Sequence, residues 1–316
     1  MTDNWVIRTA QLTKQFDETS AVKQVNLQVG SGEIYGLIGP NGAGKTTLIR
    51  MLAVAEEPTT GEIYIGGHAL LKGQANPDIK SRIGFLPDDF PLYDDLSVWD
   101  YLDYFGRLYY LNGSRLTQRL TEVLELVSLE NKRTSLIGQL SRGMKQRLSL
   151  ARTIIHSPAL LLLDEPVSGL DPVARVQFRE TLKILQQQGM TILISSHILS
   201  DLEDFCTSIG VMERGRLVES APLQDLYRRN QLQRIRISAL IDSTMLQAEL
   251  QKHSLVQTCE ILPNQKQVCL EFSGTDEDLA ILLRSLITSD IPVIEFSPVQ
   301  DNLEDIFLKL GYQQTS

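Results

Sequence analysis

The 316-residue chain has little of what marks a secreted or membrane-spanning protein. It has 3 cysteines, Cys206, Cys259 and Cys269, with no C-x-x-C spacing, so they read as thiols of a reducing compartment and not as a disulfide framework. Its 4 histidines show no metal-ligand spacing. The first residues, Met1-Thr2-Asp3-Asn4-Trp5, lack the basic region and apolar core of a signal peptide. No apolar run exceeds residues 159–163, far too short to cross a bilayer. A soluble chain is expected, with any membrane role running through a partner. Positive charge is also scarce. The formal net charge of -9 disfavours nucleic acid as the main ligand, because phosphate contacts need Lys and Arg.

What is present is a globular chain long enough for two domains, with 42% apolar and 22% charged residues. Its most informative stretch is Gly39-Pro40-Asn41-Gly42-Ala43-Gly44-Lys45-Thr46-Thr47, which fits G-x-x-x-x-G-K-[ST]. An apolar run at residues 35–38 leads in, and a helical pattern at 47–52 leads out, the context this phosphate-binding loop requires. The glycines let successive N–H groups face an anion, and the following helix adds its positive end. Lys45 is expected on the β- and γ-phosphates and the Thr46 hydroxyl on Mg²⁺.

Around the loop, residues 5–12 and 22–29 read as strands, with Phe16 in a polar loop within reach of a nucleobase. Base–aromatic stacking tolerates any base. Residues 83–86 form a strand running into Pro87-Asp88-Asp89. Ser97-x-x-Asp100 opens one helix and residues 114–126 form a second, predicting a small helical subdomain inserted in an α/β core. Ser141 reads as the N-cap of a helix that Pro158 ends. Residues 160–163, all leucine, form a buried parallel strand ending in Asp164 and Glu165. Ligands in open α/β sheets lie at the carboxyl ends of strands, so both carboxylates belong beside the phosphate loop. Asp164 suits the Mg²⁺ shell and Glu165 suits a base toward an attacking water. Asp171 before Pro172 is a strong helix start. His197 stands past a further buried strand at residues 191–195, where it could meet a γ-phosphate. From about Gln233 the order becomes βαββαβ, with a hairpin at residues 263–266 and a last helix at 303–310. Residues 225–230 are the expected junction.

Together these residues resemble the nucleotide-binding subunit of an ABC transporter. The phosphate loop, Leu140-Ser141-Arg142-Gly143-Met144, the strand ending in Asp164-Glu165, Ser168-Gly169-Leu170-Asp171 and His197 occur in that family's order. The resemblance covers residues 5–227 and implies an α/β P-loop NTPase domain over 1–229, with its helical subdomain at about 95–157. A small α+β ferredoxin-like accessory or regulatory domain follows over 230–316. It also implies two ATP molecules, each with Mg²⁺, sandwiched between two such subunits, a second copy or a paralogue. Phe16 would then lie on adenine, with Ser141 and Gly143 on the γ-phosphate held by the opposite subunit. Glu165 would be the catalytic base, Asp171 a coupler across the dimer and His197 a γ-phosphate contact. An integral-membrane subunit would hold the chain at the cytoplasmic side of the plasma membrane.

Two departures stand out. The family segment usually reads L-S-G-G-Q; Arg142 and Met144 depart from it, while Ser141 and Gly143 remain. Asp88 stands where the family usually has glutamine. The style of residues 140–147 and 303–308 is similar to bacterial exporters of drugs, antibiotics, polysaccharides or lipids. Two other readings stand beside export. One is an importer subunit with an effector-binding C-terminal domain. The other is a soluble ATPase of this type acting on ribosomes or DNA, which the acidic balance and the single ATPase unit disfavour.

Overall fold

The computed structural model describes residues 5–229, 233–262 and 267–299. Two compact units divide the chain, the first running to Leu223 and the second starting at Gln224. The first unit opens with β1 (Trp5–Phe16), β2 (Thr19–Val25), β3 (Gln28–Gly30), β4 (Ile34–Ile38), α1 (Lys45–Leu52), β5 (Thr60–Ile65), β6 (His68–Ala69), α2 (Pro77–Lys80) and β7 (Ile83–Leu86). Three helices follow, α3 (Val98–Leu108), α4 (Gly113–Leu126) and α5 (Arg142–Ile154). The unit closes with β8 (Leu160–Leu163), α6 (Pro172–Gln187), β9 (Thr191–Ser196), β10 (Ser208–Glu213) and β11 (Arg216–Pro222).

A six-stranded sheet runs in the order β11-β10-β4-β9-β8-β7. The five strands from β10 to β7 are parallel, and β11 adds an antiparallel edge. Every residue of β4, β8 and β9 is buried, as a parallel sheet covered on both faces demands. Because the strands are parallel, the segments after β4, β9, β8 and β7 leave the sheet side by side at one edge. A second, antiparallel sheet has the order β2-β1-β5-β6, with β3 also paired to β1.

The helices α3, α4 and α5 pack on one another. Ser97 caps α3 by accepting from Asp100 N, and Ser141 caps α5 by accepting from Met144 N. Arg147, 8% exposed, donates through Nη1 to the carbonyls of Val127 and Ser128 at the end of α4, where unpaired acceptors and the dipole favour a cation.

Two expectations change. The strand predicted at residues 22–29 is two strands, β2 and β3. Its apolar alternation persists, with Val25, Leu27 and Val29 buried, but the pairing does not. The buried Thr9 hydroxyl takes the place of ladder bonds at the break, donating to Val25 O and accepting from Leu27 N. Phe16 ends β1 and does not lie in a loop. The junction at residues 225–230 lies in helix α7 (Leu223–Arg229), with Asn230 outside the described residues. The hairpin β10–β11 carries an unread signal: Arg214 (φ 47) and Gly215 (φ 84) make its tight turn, both with positive φ.

The second unit contains β12 (Gln233–Ala239), α8 (Ser243–Leu250), β13 (Val256–Ile261), β14 (Val268–Phe272), α9 (Asp276–Thr288) and β15 (Val293–Val299). Its strands form one antiparallel sheet in the order β13-β14-β12-β15. Ile235, Ile237, Leu270 and Phe272 pack on Leu246 and Leu250 of α8 and Leu282 and Leu286 of α9. Thr275 and Asp278 form a reciprocal capping box at the start of α9. The expected hairpin at 263–266 and last helix at 303–310 lie outside the described residues.

Leu193, fully buried in β9 between β4 and β8, tests the central sheet. Leu193→Ala should lower stability by about 2–5 kcal/mol through lost burial and a residual cavity, read from equilibrium urea unfolding.

Candidate nucleotide site

The loop between β4 and α1 is held on several sides. Gly44 has φ 101, and a side chain there would run into the Ala21 carbonyl; one at Gly39 would run into the Met212 carbonyl. Both positions therefore need glycine for close backbone approach. The tip of the β10–β11 hairpin pins the loop further: Gly215 N donates to Ala43 O at 2.9 Å, and Lys23 N of β2 donates to Gly215 O at 2.7 Å. Pro40, Asn41, Gly42 and Thr47 complete the turn and the first residues of α1, whose N-terminus has no side-chain cap and so keeps N–H groups for an anion.

Lys45 is 5% exposed. Its Nζ donates to Gly39 O at 2.6 Å and Pro40 O at 3.3 Å, and lies 3.2 Å from Glu165 Oε1. A buried ammonium must be satisfied, and here the loop's own carbonyls and one carboxylate do so. Phosphate oxygens, with more charge, are stronger partners for the same cation.

Asp164 and Glu165 leave β8 in different environments. Asp164 is 1% exposed and its Oδ1 accepts from Ser195 Oγ at 2.7 Å. Burial pushes its carboxyl above the usual aspartate range. Hydrogen bonds from Ser195 and Thr46 pull it down, and the charges of Glu165 and Asp88 push it up. A divalent cation would reverse that balance. One carboxylate and one hydroxyl, from Asp164 and Thr46, form the donor set that Mg²⁺ takes when phosphate and water complete its shell.

Glu165 has φ 47, an uncommon left-handed conformation for a side chain of this kind. Its N–H donates to Ser195 Oγ at 3.0 Å. Its Oε2 meets His197 Nδ1 at 2.8 Å and accepts from His197 N at 3.3 Å. Its Oε1 is buried and accepts no hydrogen bond, although the Lys45 ammonium lies near. A carboxylate oxygen so placed has a free acceptor for a water that must lose a proton.

The parallel sheet thus gathers Lys45, Thr46, Asp164, Glu165 and His197 at one edge, with exposed Asp88 close enough to act on Asp164 through its charge. Ser195, not singled out by sequence reasoning, joins them by accepting from Glu165 N and donating to Asp164. Its signal was a hydroxyl in an apolar strand, one of two serines before His197.

Other predicted residues lie elsewhere. Phe16 is 44% exposed, with Lys14 Nζ 4.7 Å from its ring centroid. Ser141 serves as the cap of α5, Gly143 packs on Ala174 of α6, and Asp171 Oδ1 caps α6 by accepting from Ala174 N at 2.9 Å. The two caps are local to their own helices, and Gly143 sets the start of α5 against α6.

Residues 22–168 match the family described as ABC transporter. Over 306 residues the chain is 34% identical to the bacitracin transport ATP-binding protein BcrA of Bacillus licheniformis, covering 96% of this chain and 97% of that one. The chain belongs to the ABC transporter ATP-binding family. It is accordingly an ATP-binding subunit and an ATPase. It is also 28% identical to the linearmycin resistance ATP-binding protein LnrL of Bacillus subtilis (strain 168), over 96% of this chain and 98% of that one. Among solved structures it resembles the dimeric bacterial ABC transporter cassette MJ0796, with a TM-score of 0.63 and 26% identity over 69% of this chain and 98% of that one. Among the described residues no helix is long and apolar enough to cross a membrane.

A carboxyl whose pKa is raised by folding holds its proton more tightly in the native state. Its contribution to stability is therefore full at low pH and falls as pH rises from the ordinary aspartate value to the raised one. An asparagine in place of Asp164 has no proton to lose. The Asp164→Asn protein should gain stability relative to the parent across that window and keep the gain at neutral pH, while losing Mg²⁺-dependent ATPase activity. Urea midpoints over a pH series, measured beside turnover, check both.

Proposed function

We propose that this subunit drives export through a separate membrane-spanning partner, at the cytoplasmic side of the plasma membrane. The observation that carries this reading is the division of the predicted site. Lys45, Asp164, Glu165 and His197 share one sheet edge, and Ser141 and Gly143 stand at the start of α5, against α6. Each chain then supplies half of two composite sites, and ATP is sandwiched between this chain and a second copy or a paralogue. Dimeric MJ0796 supports that arrangement by analogy. The near full-length likeness to proteins named for bacitracin transport and linearmycin resistance supports export.

In the proposed site, the backbone of residues 39–47 and Lys45 hold the β- and γ-phosphates, and Phe16 supports the base. Thr46 and Asp164 would hold Mg²⁺, with Asp88 beside them; the ion would supply charge neutralisation on the phosphate oxygens. Glu165 accepts the proton of the attacking water. His197 fixes Glu165 Oε2 and leaves Oε1 for that water. Ser141 and Gly143 of the opposite chain complete the γ-phosphate contacts, and Asp171 couples the two copies.

Residues 1–229 form the ATP-binding domain, with α3, α4 and α5 its helical subdomain at about 95–157. The segment after Asp88 passes closure of the dimer to the membrane partner through that subdomain. ATP favours the closed dimer and hydrolysis releases it, a shift driven by differential binding to the two states. Residues 230–316 form the accessory domain. The strand order β13-β14-β12-β15 with two helices supports a ferredoxin-like reading of it.

Glu165→Gln should cut turnover by about a hundredfold or more while ATP binding persists, because the general base is lost and the side-chain carbonyl oxygen kept. Size-exclusion chromatography with ATP should then show a stable dimer. Normal ATP hydrolysis by that variant would overturn the assignment of the base. Ending the chain at Arg229 should leave ATPase activity measurable and change dimer affinity. If neither activity nor affinity changed, the accessory domain would be neither regulator nor dimer support.

A further inference from the structure

The turn between Glu165 and α6 is gripped by two arginines. Arg142, the first residue of α5, donates from Nη2 to Ser168 O at 3.0 Å. Its guanidinium lies across Gly169, which has φ +66; a Cβ there would be 2.5 Å from Nη2 and 2.6 Å from Nη1. Glycine is thus needed both for the backbone angle and for the approach of the guanidinium. On the other side, Arg175 of α6 donates from Nε to Leu170 O at 3.1 Å. The carbonyls on either side of Gly169 are therefore both held by guanidinium groups, from two different helices.

The grip extends beyond the turn. Arg175 Nη1 donates to Asp201 Oδ1 at 3.0 Å, and Arg179 Nη2 donates to the same oxygen at 3.2 Å. Asp201 is 3% exposed and belongs to the short helix Leu199–Asp201, just past His197. At the start of the two helices, a Cβ on Gly143 would be 2.7 Å from Ala174 Cβ, so the first turns of α5 and α6 abut. Asp171 closes the circuit by capping α6 on Ala174 N. Four pieces are joined without a gap: the start of α5, the turn 168–170, the start of α6 and the segment after His197. A planar, permanently charged guanidinium suits carbonyl gripping of this kind better than an ammonium.

We propose that Arg142 and Arg175 are positioning residues that lock the turn 168–170 to Ser141 and Gly143, so that the surface offered to the partner copy's phosphate docks as one rigid body. This rests on the composite-site reading given above. Arg142 thereby takes a role that a glycine at that position could not fill. Neither arginine touches the reacting atoms.

The test uses the full chain carrying Glu165→Gln, with dimerisation by ATP followed by light scattering. Adding Arg142→Ala should raise the concentration of protein needed for half-dimerisation by about tenfold, the scale of losing one hydrogen bond from a charged donor. Binding of a fluorescent ATP analogue at dilute, monomeric protein should not change. Arg142→Lys should recover part of the loss. Because both arginines hold one turn, the pair Arg142→Ala with Arg175→Ala should lose less than the product of the single losses. Equal dimerisation with and without Arg142→Ala, or strictly multiplicative losses, would overturn the clamp and leave the composite site standing. If Glu165→Gln alone failed to dimerise with ATP, the composite site would fall and the clamp with it.

Discussion

Parallel pairing of β10, β4, β9, β8 and β7 is the constraint on which everything else rests. The central three, β4, β9 and β8, are buried on both faces, so their peptide groups have no water to turn to and must pair with neighbouring strands. Once they do, their carboxyl ends share an edge. The phosphate loop, the Asp164-Glu165 pair and His197 each begin directly past a strand of that set, and Asp88 follows one residue further, after Pro87. Their proximity in space follows from topology and not from any direct attraction among them.

The same edge concentrates charge where solvent is scarce. Lys45 is satisfied by loop carbonyls and the Glu165 carboxylate, and Asp164 by Ser195 and Thr46, but Glu165 Oε1, although it faces Lys45, accepts no hydrogen bond, and the Glu165 backbone is left-handed. Conformational cost and unpaired buried oxygens cluster at functional sites because a reaction needs groups held ready for a partner outside the chain. Ser195 shows how this is managed. One hydroxyl both receives the Glu165 N–H and restrains Asp164, so two adjacent carboxylates are kept in distinct orientations.

Much of this was legible in the residues. The loop residues 39–47, the all-leucine strand before Asp164, the caps Ser97, Ser141 and Asp171, and the helices at 98–108 and 113–126 all declare themselves through local spacing or local chemistry. What stayed hidden depends on partners distant in sequence. Residues 22–29 alternate as a strand should, yet the Thr9 hydroxyl, sixteen and eighteen positions away from its partners Val25 and Leu27, interrupts their pairing. The grip of Arg142 on Ser168 O spans twenty-six positions and looks, in the sequence, like a plain departure from a glycine. Arg214-Gly215 was readable as a tight turn, but its bond to the phosphate loop was not.

That hairpin tip bears on how the chain can vary. The ends of surface hairpins are ordinarily where insertions, fused tags and protease nicks are accepted, because their backbone answers to nothing else. At Gly215 both peptide groups are committed, one to Ala43 and the other to Lys23. Lengthening this connection by even a residue would release the phosphate loop and β2 together. A reporter or affinity handle placed there would disarm the enzyme, and relatives that differ in length should differ in other loops.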